Sequence, residues 1–296
     1  MTATEKRSTA DKPPASLQGV LFLTAGYGTR AEPLSIARPK CLLPWKGGTV
    51  LGNLVRQFAE FDPELMAFNA SRCPELVQKE ISENWRGETR LLFEERPLGV
   101  CGTLVKNSEM FQGTWALCNT DFVMDIPLKA MSDLHAENGG GWTVLTCDLP
   151  AEGDYRPLAI QGKERHYAGV SIVSPEVAQT ASLRQIRSGF FTTLREACRE
   201  TGTPIREYYH SGRWLDMGEV ELFRRNTLLQ GTYVHPTAEV SRHASLEGFY
   251  SVGPYCIIKG GAVVKNSVLL EGSEVVKGQK VIDTVLPWFN KGAPVD

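Results

Sequence analysis

The chain lacks paired cysteines, a long apolar run and an excess of either charge. Its seven cysteines (Cys41, Cys73, Cys101, Cys118, Cys147, Cys198 and Cys256) are scattered singly, with no CxxC pair. That spacing speaks for a reducing compartment and against structural zinc. The five histidines show no HExxH-type spacing, so each reads as a surface or packed residue rather than a metal ligand. No hydrophobic stretch approaches a membrane span. Residues 1–16 are polar and lack the apolar centre of a secretory signal, so a loose tail on a cytoplasmic protein with no membrane partner is expected. A net charge of −2 does not suit a nucleic-acid binder, which is usually basic. An anionic ligand must therefore meet a local cationic site. What is present, 42% hydrophobic and 22% charged residues, is enough for a core and argues against disorder.

Strand and helix patterns alternate through most of the chain. Strands are predicted at Gly19–Ala25, Leu65–Asn69, Thr89–Phe93, Trp115–Cys118, Trp142–Cys147, Tyr167–Ser174 and Ile205–Tyr209. Helical spacing falls at Val50–Phe61, Leu76–Trp85, Leu128–Glu137 and Phe191–Arg199, and Pro175 opens a short helix. The alternation predicts an α/β fold with a Rossmann-like, mostly parallel sheet over residues 17–230. Ligands of such sheets sit beyond the carboxyl ends of the strands.

Residues 231–296 have another rhythm. Val234, Val240, Leu246, Val252, Ile258, Val264, Leu270, Val276 and Ile282 recur every six residues. Ala238, Ala244, Tyr250, Cys256, Ala262 and Val268 recur in step with them. This period fits neither a helix nor a simple strand but fits hexapeptide repeats, and predicts a short left-handed parallel β-helix of about three coils. Its aliphatic faces make a homo-oligomer plausible.

The segment Val20–Trp45, "VLFLTAGYGTRAEPLSIARPKCLLPW", sets Arg30, Arg38 and Lys40 in a loop between apolar segments. Gly26 and Gly28 let the backbone turn sharply and approach a ligand. Successive amides there form an anion nest, Arg30 can fork onto phosphate oxygens, and Lys40 adds a point charge. The loop is suited to a polyphosphate. It is neither a Walker loop nor a GxGxxG fingerprint, because Ala31 stands where the third glycine would be.

Gly26-Tyr27-Gly28-Thr29-Arg30, Pro33-Leu34, Arg38-Pro39-Lys40 and Leu42-Leu43-Pro44 together resemble the signature of the sugar-phosphate nucleotidyltransferases. The resemblance covers most of residues 18–230, and the hexapeptide tail also occurs in many members. It implies that Ala25, Gly26, Gly28, Thr29 and Arg30 hold a nucleoside triphosphate. It also implies that Arg30 and Lys40 stabilise the triphosphate and the charge developed during attack. Ala31 replaces the usual leucine.

Two aspartates complete the expected centre. Asp121 follows an apolar strand in "ALCNTDF", and Asp216 lies in Trp214-x-Asp216-x-Gly218. The family places a metal-holding aspartate in each segment, which implies Mg²⁺ on Asp121 and Asp216. Mg²⁺ is usually held by one or two carboxylates plus substrate phosphates. Taken singly, either residue also reads as a cap or turn. Glu94–Leu104, "EERPLGVCGTL", resembles the segment that lines base and sugar, with Val100 and Cys101 in place of Thr and Ala. Gly99 and Gly102 remain for backbone contacts with the nucleotide. Asn119 and Gly169 are the sugar-side candidates, and Asn119 reads equally as a strand-end turn residue. The usual Glu-Lys-Pro is missing between Thr146 and Tyr167. Arg156 and Lys163 are both possible substitutes for its lysine, and that contact stays unassigned.

The implied reaction is Mg²⁺-dependent condensation of an NTP with a sugar 1-phosphate, a hexose 1-phosphate such as that of mannose or glucose being favoured. Two rivals stand beside it. One is a non-catalytic subunit that binds nucleotide sugars or assembles through the tail. The other is an acyltransferase, since hexapeptide coils host those too.

Overall fold

Period-two alternation decides the central sheet. In β1 (Gly19–Leu23), Val20 and Phe22 enter one buried cluster while Leu21 enters another. The computed structural model describes residues 17–150, 155, 157–160, 163–182 and 189–289. After β1 come α1 (Leu34–Ala37), the short hairpin β2 (Pro44–Trp45) and β3 (Gly48–Thr49), and α2 (Val50–Ala59). Next are β4 (Leu65–Ala70), α3 (Pro74–Asn84), β5 (Glu88–Phe93), α4 (Gly99–Lys106), β6 (Trp115–Asn119) and β7 (Phe122–Val123). The run continues through α5 (Leu128–Glu137), β8 (Trp142–Cys147), β9 (Leu158–Ile160), β10 (Lys163–Val173), α6 (Pro175–Ser182) and α7 (Phe190–Thr201). It closes with β11 (Ile205–Tyr209), β12 (Leu215–Asp216) and α8 (Val220–Leu228).

The main sheet runs β11-β8-β10-β6-β1-β4-β5, with β9 paired to β10. The β1–β4, β1–β6, β4–β5 and β8–β11 pairs are parallel. Strand β10 is the exception and pairs antiparallel with both β6 and β8. Sequence alternation predicts a mostly parallel sheet, and this one strand reverses; the described residues between β8 and β10 hold the short strand β9, which pairs antiparallel with β10, and no helix. Helices cover both faces. Leu51, Leu54, Val55 and Phe58 of α2, with Val77 and Ile81 of α3, pack on one side. Val177, Ala178 and Ala181 of α6, with Leu194, Ala197 and Cys198 of α7, pack on the other. Thr49 caps α2 by accepting a hydrogen bond from the Gly52 amide at 2.9 Å.

The tail comprises β13 (Tyr233–Val234), β14 (Glu239–Val240), β15 (Ser245–Val252), β16 (Ile257–Ile258), β17 (Val263–Leu269), β18 (Glu274–Val275), β19 (Lys280–Ile282) and β20 (Val285–Leu286). Its pairings are all parallel, in a set β13-β15-β17-β19 with β20 on β17, and a set β14-β16-β18. Tyr233 pairs with Ser251 and Glu239 with Ile257, an offset of eighteen residues (251 − 233 and 257 − 239). Ile257 pairs with Glu274 and Val263 with Lys280, an offset of seventeen (274 − 257 and 280 − 263). That missing residue falls at an irregularity between β15 and β17, where Glu247 pairs with Lys265 but Tyr250 with Ser267, and it corrects the last three members of the six-residue series. Val252, Ile258 and Val264 are buried as the period predicts, but Leu269, Val275 and Val281 then replace Leu270, Val276 and Ile282 in the core of the tail, while Leu270 joins the cluster of the larger domain. Val234 and Val240, on the first strands of their sets, are each 37% exposed.

The tail packs on the larger domain. Val268, Leu270 and Val285 join the same buried cluster as α2 and α8. The Trp288 indole N–H donates to the Leu34 carbonyl at 2.9 Å, and an Arg224 guanidinium N–H donates to the Asn266 carbonyl at 2.7 Å. Arg38 pairs with Glu271 at 2.8 Å and lies 4.5 Å over the Trp288 ring. Among the described residues no helix is long and apolar enough to cross a membrane.

Candidate active site

Strands β1, β4, β5 and β6 all release their chains at one edge of the sheet, and the side chains expected to carry chemistry gather there. Asn69, at the end of β4 and 4% exposed, organises the first loop. Its Oδ1 accepts from the Thr24 and Ala25 amides at 2.8 and 3.1 Å. Its Nδ2 donates to Thr103 Oγ1 at 3.0 Å and to Glu94 Oε1 at 3.2 Å. Glu94, 1% exposed, also accepts from Thr103 Oγ1 at 2.6 Å and from the Leu98 amide at 2.9 Å. One buried network thus ties the glycine loop to the start of α4. The sequence reading passed over Asn69 and Thr103, because neither type nor spacing marks a strand-end amide as a hub.

Within the glycine loop, Ala25 spends its amide on Asn69 and its carbonyl on Ser71 Oγ at 2.7 Å. It anchors the loop, and the exposed backbone begins at Gly26. Gly28 sits at φ +68°, where a Cβ would lie 3.0 Å from that of Ser35, so glycine is required there. Its carbonyl accepts from Ser35 Oγ at 2.7 Å and from the Ala31 amide at 2.8 Å. Thr29 and Arg30 are exposed beyond it. A shallow cleft beside this loop is lined by Gly26, Tyr27, Arg38, Pro39, Ser71 and Arg72.

Asp121 and Asp216 are brought together by a two-stranded ladder. β12 pairs antiparallel with β7, opposing Asp216 to Phe122, and the Met217 amide donates to the Asp121 carbonyl at 2.8 Å. Both carboxylates face the space above Gly218: a Cβ there would lie 3.0 Å from Asp216 Oδ1 and 3.5 Å from Asp121 Oδ2. Asp216 is buried, its Oδ1 accepting from the Gly218 amide at 2.6 Å and its Oδ2 from the Tyr155 hydroxyl at 2.7 Å. The tyrosine pays with its acidity, since burial, then Asp216, push its pKa well up.

The two cations meet the same centre. Lys40 Nζ is 2.5 Å from Asp121 Oδ2. Arg30 pairs with Glu219 at 2.6 Å, one residue past Gly218. Burial acts to lower the Arg30 pKa, but Glu219, with Asp216 and Asp121 behind it, outweighs that and raises it. Arg30, Lys40, Asp121 and Asp216 therefore share one centre, together with Glu219, which no motif in the sequence flagged.

The other candidates lie around it. Asn119 ends β6, half-buried, and its side chain has no partner among the described residues. Gly99 opens α4 at φ +69° with open space at its Cβ position, and Gly102 is buried in the same helix. Gly169, at φ +94°, has a plain packing reason: a Cβ would fall 2.5 Å from the Phe122 ring. Cys101 is buried, as a packed thiol should be. Arg156 lies outside the described residues, as does the Lys163 side chain. A cavity of about 570 Å³ lies elsewhere, between the β2–β3 hairpin, the end of α8 and the tail. None of Arg30, Lys40, Asp121 or Asp216 lines it, and charge convergence rather than concavity marks the site.

Among the described residues no group of three or more His, Cys, Asp or Glu is placed to hold a metal by itself. Two hard carboxylates facing one space fit instead a cation that completes its shell with ligand oxygens.

A glycine loop on β1, paired carboxylates over Gly218 and a mostly parallel sheet between helical layers define a nucleotidyltransferase-type α/β domain. Comparison agrees. No family model matches the chain. Over 318 aligned residues it is 24% identical to a mannose-1-phosphate guanyltransferase of Candida albicans, covering 92% of this chain and 86% of that one. It is 21% identical to the mannose-1-phosphate guanylyltransferase catalytic subunit beta of Danio rerio, covering 90% and 85%. A crystal structure assigned as a glucose-1-phosphate thymidylyltransferase of Bacillus anthracis, in complex with sucrose, superposes with a TM-score of 0.60 at 14% identity. That match covers 72% of this chain and 94% of the other. These similarities support a sugar-phosphate nucleotidyltransferase family.

Proposed function

We propose that the protein condenses a nucleoside triphosphate with a sugar 1-phosphate to give a nucleoside-diphosphate sugar and pyrophosphate. The observation that carries this is the meeting of Lys40 with Asp121, and of Arg30 with Glu219, around the Gly218 turn. A sugar-phosphate oxygen attacks the α-phosphorus in line. A new P–O bond forms, the α–β bridge breaks, and pyrophosphate leaves with its electron pair. The phosphate dianion is already nucleophilic, so no general base is needed. Catalysis rests on positioning and charge neutralisation. Arg30 and Lys40 exchange their carboxylate partners for triphosphate oxygens and take up the charge on the bridging oxygen and pyrophosphate. Asp121 and Asp216 are the residues to hold Mg²⁺, which when bound supplies neutralisation of phosphate charge. Gly26, Gly28 and Thr29 contact the nucleotide, with Gly99 and Gly102 near it, and Asn119 and Gly169 lie on the sugar side.

The names of the relatives make GTP with mannose 1-phosphate the first pair to test. Pyrophosphate release is measured with four NTPs against mannose, glucose and amino-sugar 1-phosphates, with and without Mg²⁺. Mg²⁺-dependent release with at least one pair is the expected result, and no release with any pair sinks the proposal. A second reading, a nucleotide-sugar-binding subunit without turnover, is favoured by Val100, which removes the family's Thr hydroxyl from the segment opening α4, and by the missing Glu-Lys-Pro. Binding without release in the same panel supports it.

We read residues 231–289 as a short left-handed parallel β-helix, supported by pairing offsets of three hexapeptides. Exposed Val234 and Val240 on its first strands support association through this tail, which sedimentation analysis tests. Seven free cysteines accord with a reducing, cytoplasmic setting.

A further inference from the structure

We propose that His166 is a specificity-determining residue that hydrogen-bonds hydroxyl groups of the sugar 1-phosphate, an inference that rests on the reading above. Three rings meet edge to face beside Asp216. His166 lies 4.4 Å from Trp214 and 4.8 Å from Tyr155, and those two lie 5.7 Å apart. The polar atoms of two are spent. The Tyr155 hydroxyl donates to Asp216, and the Trp214 indole N–H donates to the Ala168 carbonyl at 3.2 Å. His166 is the odd member, because neither ring nitrogen meets solvent or has a hydrogen-bond partner among the described residues.

The strand explains why the ring is held there. On β10 the neighbouring Tyr167 packs in the cluster with Phe190 and Phe191 and shares a hydrogen bond with Ser171 at 3.2 Å. His166 opposes Cys147 of β8, which belongs to the other cluster, the one that also takes in Trp214. Alternation therefore turns His166 toward Asp216 and Tyr167 away. Flanking rings hold the imidazole so that it does not follow solvent. Two buried, orphaned nitrogens on a half-buried ring carry a free-energy penalty, and native folds keep such groups chiefly where something else pairs them.

The chemistry of that missing partner is constrained. Burial lowers the His166 pKa, although Asp216 and Asp121 pull the other way, and a neutral imidazole offers one donor and one acceptor. A phosphate asks for donors or cations only. A sugar hydroxyl both gives and takes a hydrogen bond, and adjacent hydroxyls satisfy both nitrogens. His166 is thus suited to the hexose rather than to its phosphate, and it does not replace the absent sugar-phosphate lysine.

The test measures binding apart from turnover. Mannose 1-phosphate, glucose 1-phosphate and their monodeoxy analogues are titrated calorimetrically into the full chain and into His166→Phe, His166→Asn and His166→Gln. Pyrophosphate release is followed in parallel. Loss of one hydrogen bond predicts at least about tenfold weaker binding of the preferred sugar phosphate in His166→Phe, with the KM for NTP unchanged. Discrimination against one deoxy analogue falls with it, and His166→Asn or His166→Gln restores part of it. Unfolding curves check the variants, and the conservative pair keeps the test valid if His166→Phe misfolds. Unchanged sugar-phosphate affinity and discrimination in all three variants overturns the proposal, as does a wild-type chain that binds none of these sugars. His166-dependent binding without pyrophosphate release upholds it while removing the catalytic reading.

Discussion

Lys40 and Asp121, 81 residues apart in the chain, stand 2.5 Å from each other. A cation expected to grip a triphosphate and a carboxylate expected to grip a metal thus neutralise one another. Both side chains are largely buried, so the pair is prearranged rather than a chance surface contact, and binding must separate it.

Asp121→Ala should therefore abolish metal-dependent chemistry while sparing the fold. By analogy with the loss of one oxyanion donor, kcat should fall by about 10²–10³. Pyrophosphate release measures the loss, and an unchanged thermal midpoint shows the fold intact. A folded variant with full activity removes Asp121 from the mechanism.

Glu219→Gln should act in the opposite sense on nucleotide affinity. Glu219 competes with phosphate for Arg30, in a pair whose side chains are 62% and 37% exposed. Exposed pairs are worth about 0–1 kcal/mol, so the gain in NTP affinity is limited to about fivefold. NTP titration at two salt concentrations checks it: the variant binds more tightly, with the larger gain at low salt. Weaker binding means that Glu219 itself contacts the ligand.

Asn69→Ala should cost about 2–4 kcal/mol, because it strands the Thr24 and Ala25 amides and removes one of the donors to the buried Glu94 carboxylate. Denaturant unfolding gives the size of the loss. The same variant should lose nucleotide binding, since the glycine loop and the start of α4 share this tether. A near-neutral effect shows that water or a rearranged Glu94 takes over.

His135 on α5 supplies a pH dependence remote from the site. It is 3% exposed, with its ring nitrogens 3.0 Å from Thr143 Oγ1 and 3.1 Å from Ser174 Oγ. Burial lowers its pKa from 6.5 to about 4. Below the unfolded value the unfolded chain binds a proton that the folded chain refuses. This stability is complete above about pH 6.5 and drains away as pH falls toward 4, by about 3 kcal/mol in total. Unfolding free energies across that window, compared with those of His135→Gln, should show a flatter profile in the variant. Parallel profiles exclude His135 as the source.

Much of the scaffold was legible because burial imposes a period. Trp142–Cys147, Leu128–Glu137 and Ile205–Tyr209 read from apolar spacing with the bounds they have in the structure. The reversal of β10 did not read, since direction depends on how the chain returns and side-chain alternation is the same either way. In the tail, a period of six located the repeats but not the one-residue slip between β15 and β17, which is a local irregularity in the strand pairing. Arg30, Lys40, Asp121 and Asp216 were legible as a signature. Glu219, Asn69 and Tyr155 were not, because each acts only through a residue distant in sequence. From the sequence His166 reads, like the other histidines, as a surface or packed residue. Its unpaired nitrogens are a fact of three dimensions.

The Arg38 side chain is held by Glu271 and lies over Trp288, and Trp288 in turn bonds back to Leu34. Arg38 stands two residues before Lys40. The last coils thus brace the segment that presents the lysine, and a shortened chain ending near residue 231 would give up that support. Such a truncation yields a slacker phosphate grip, not a minimal enzyme, and swapping in another repeat tail would have to rebuild this clasp first.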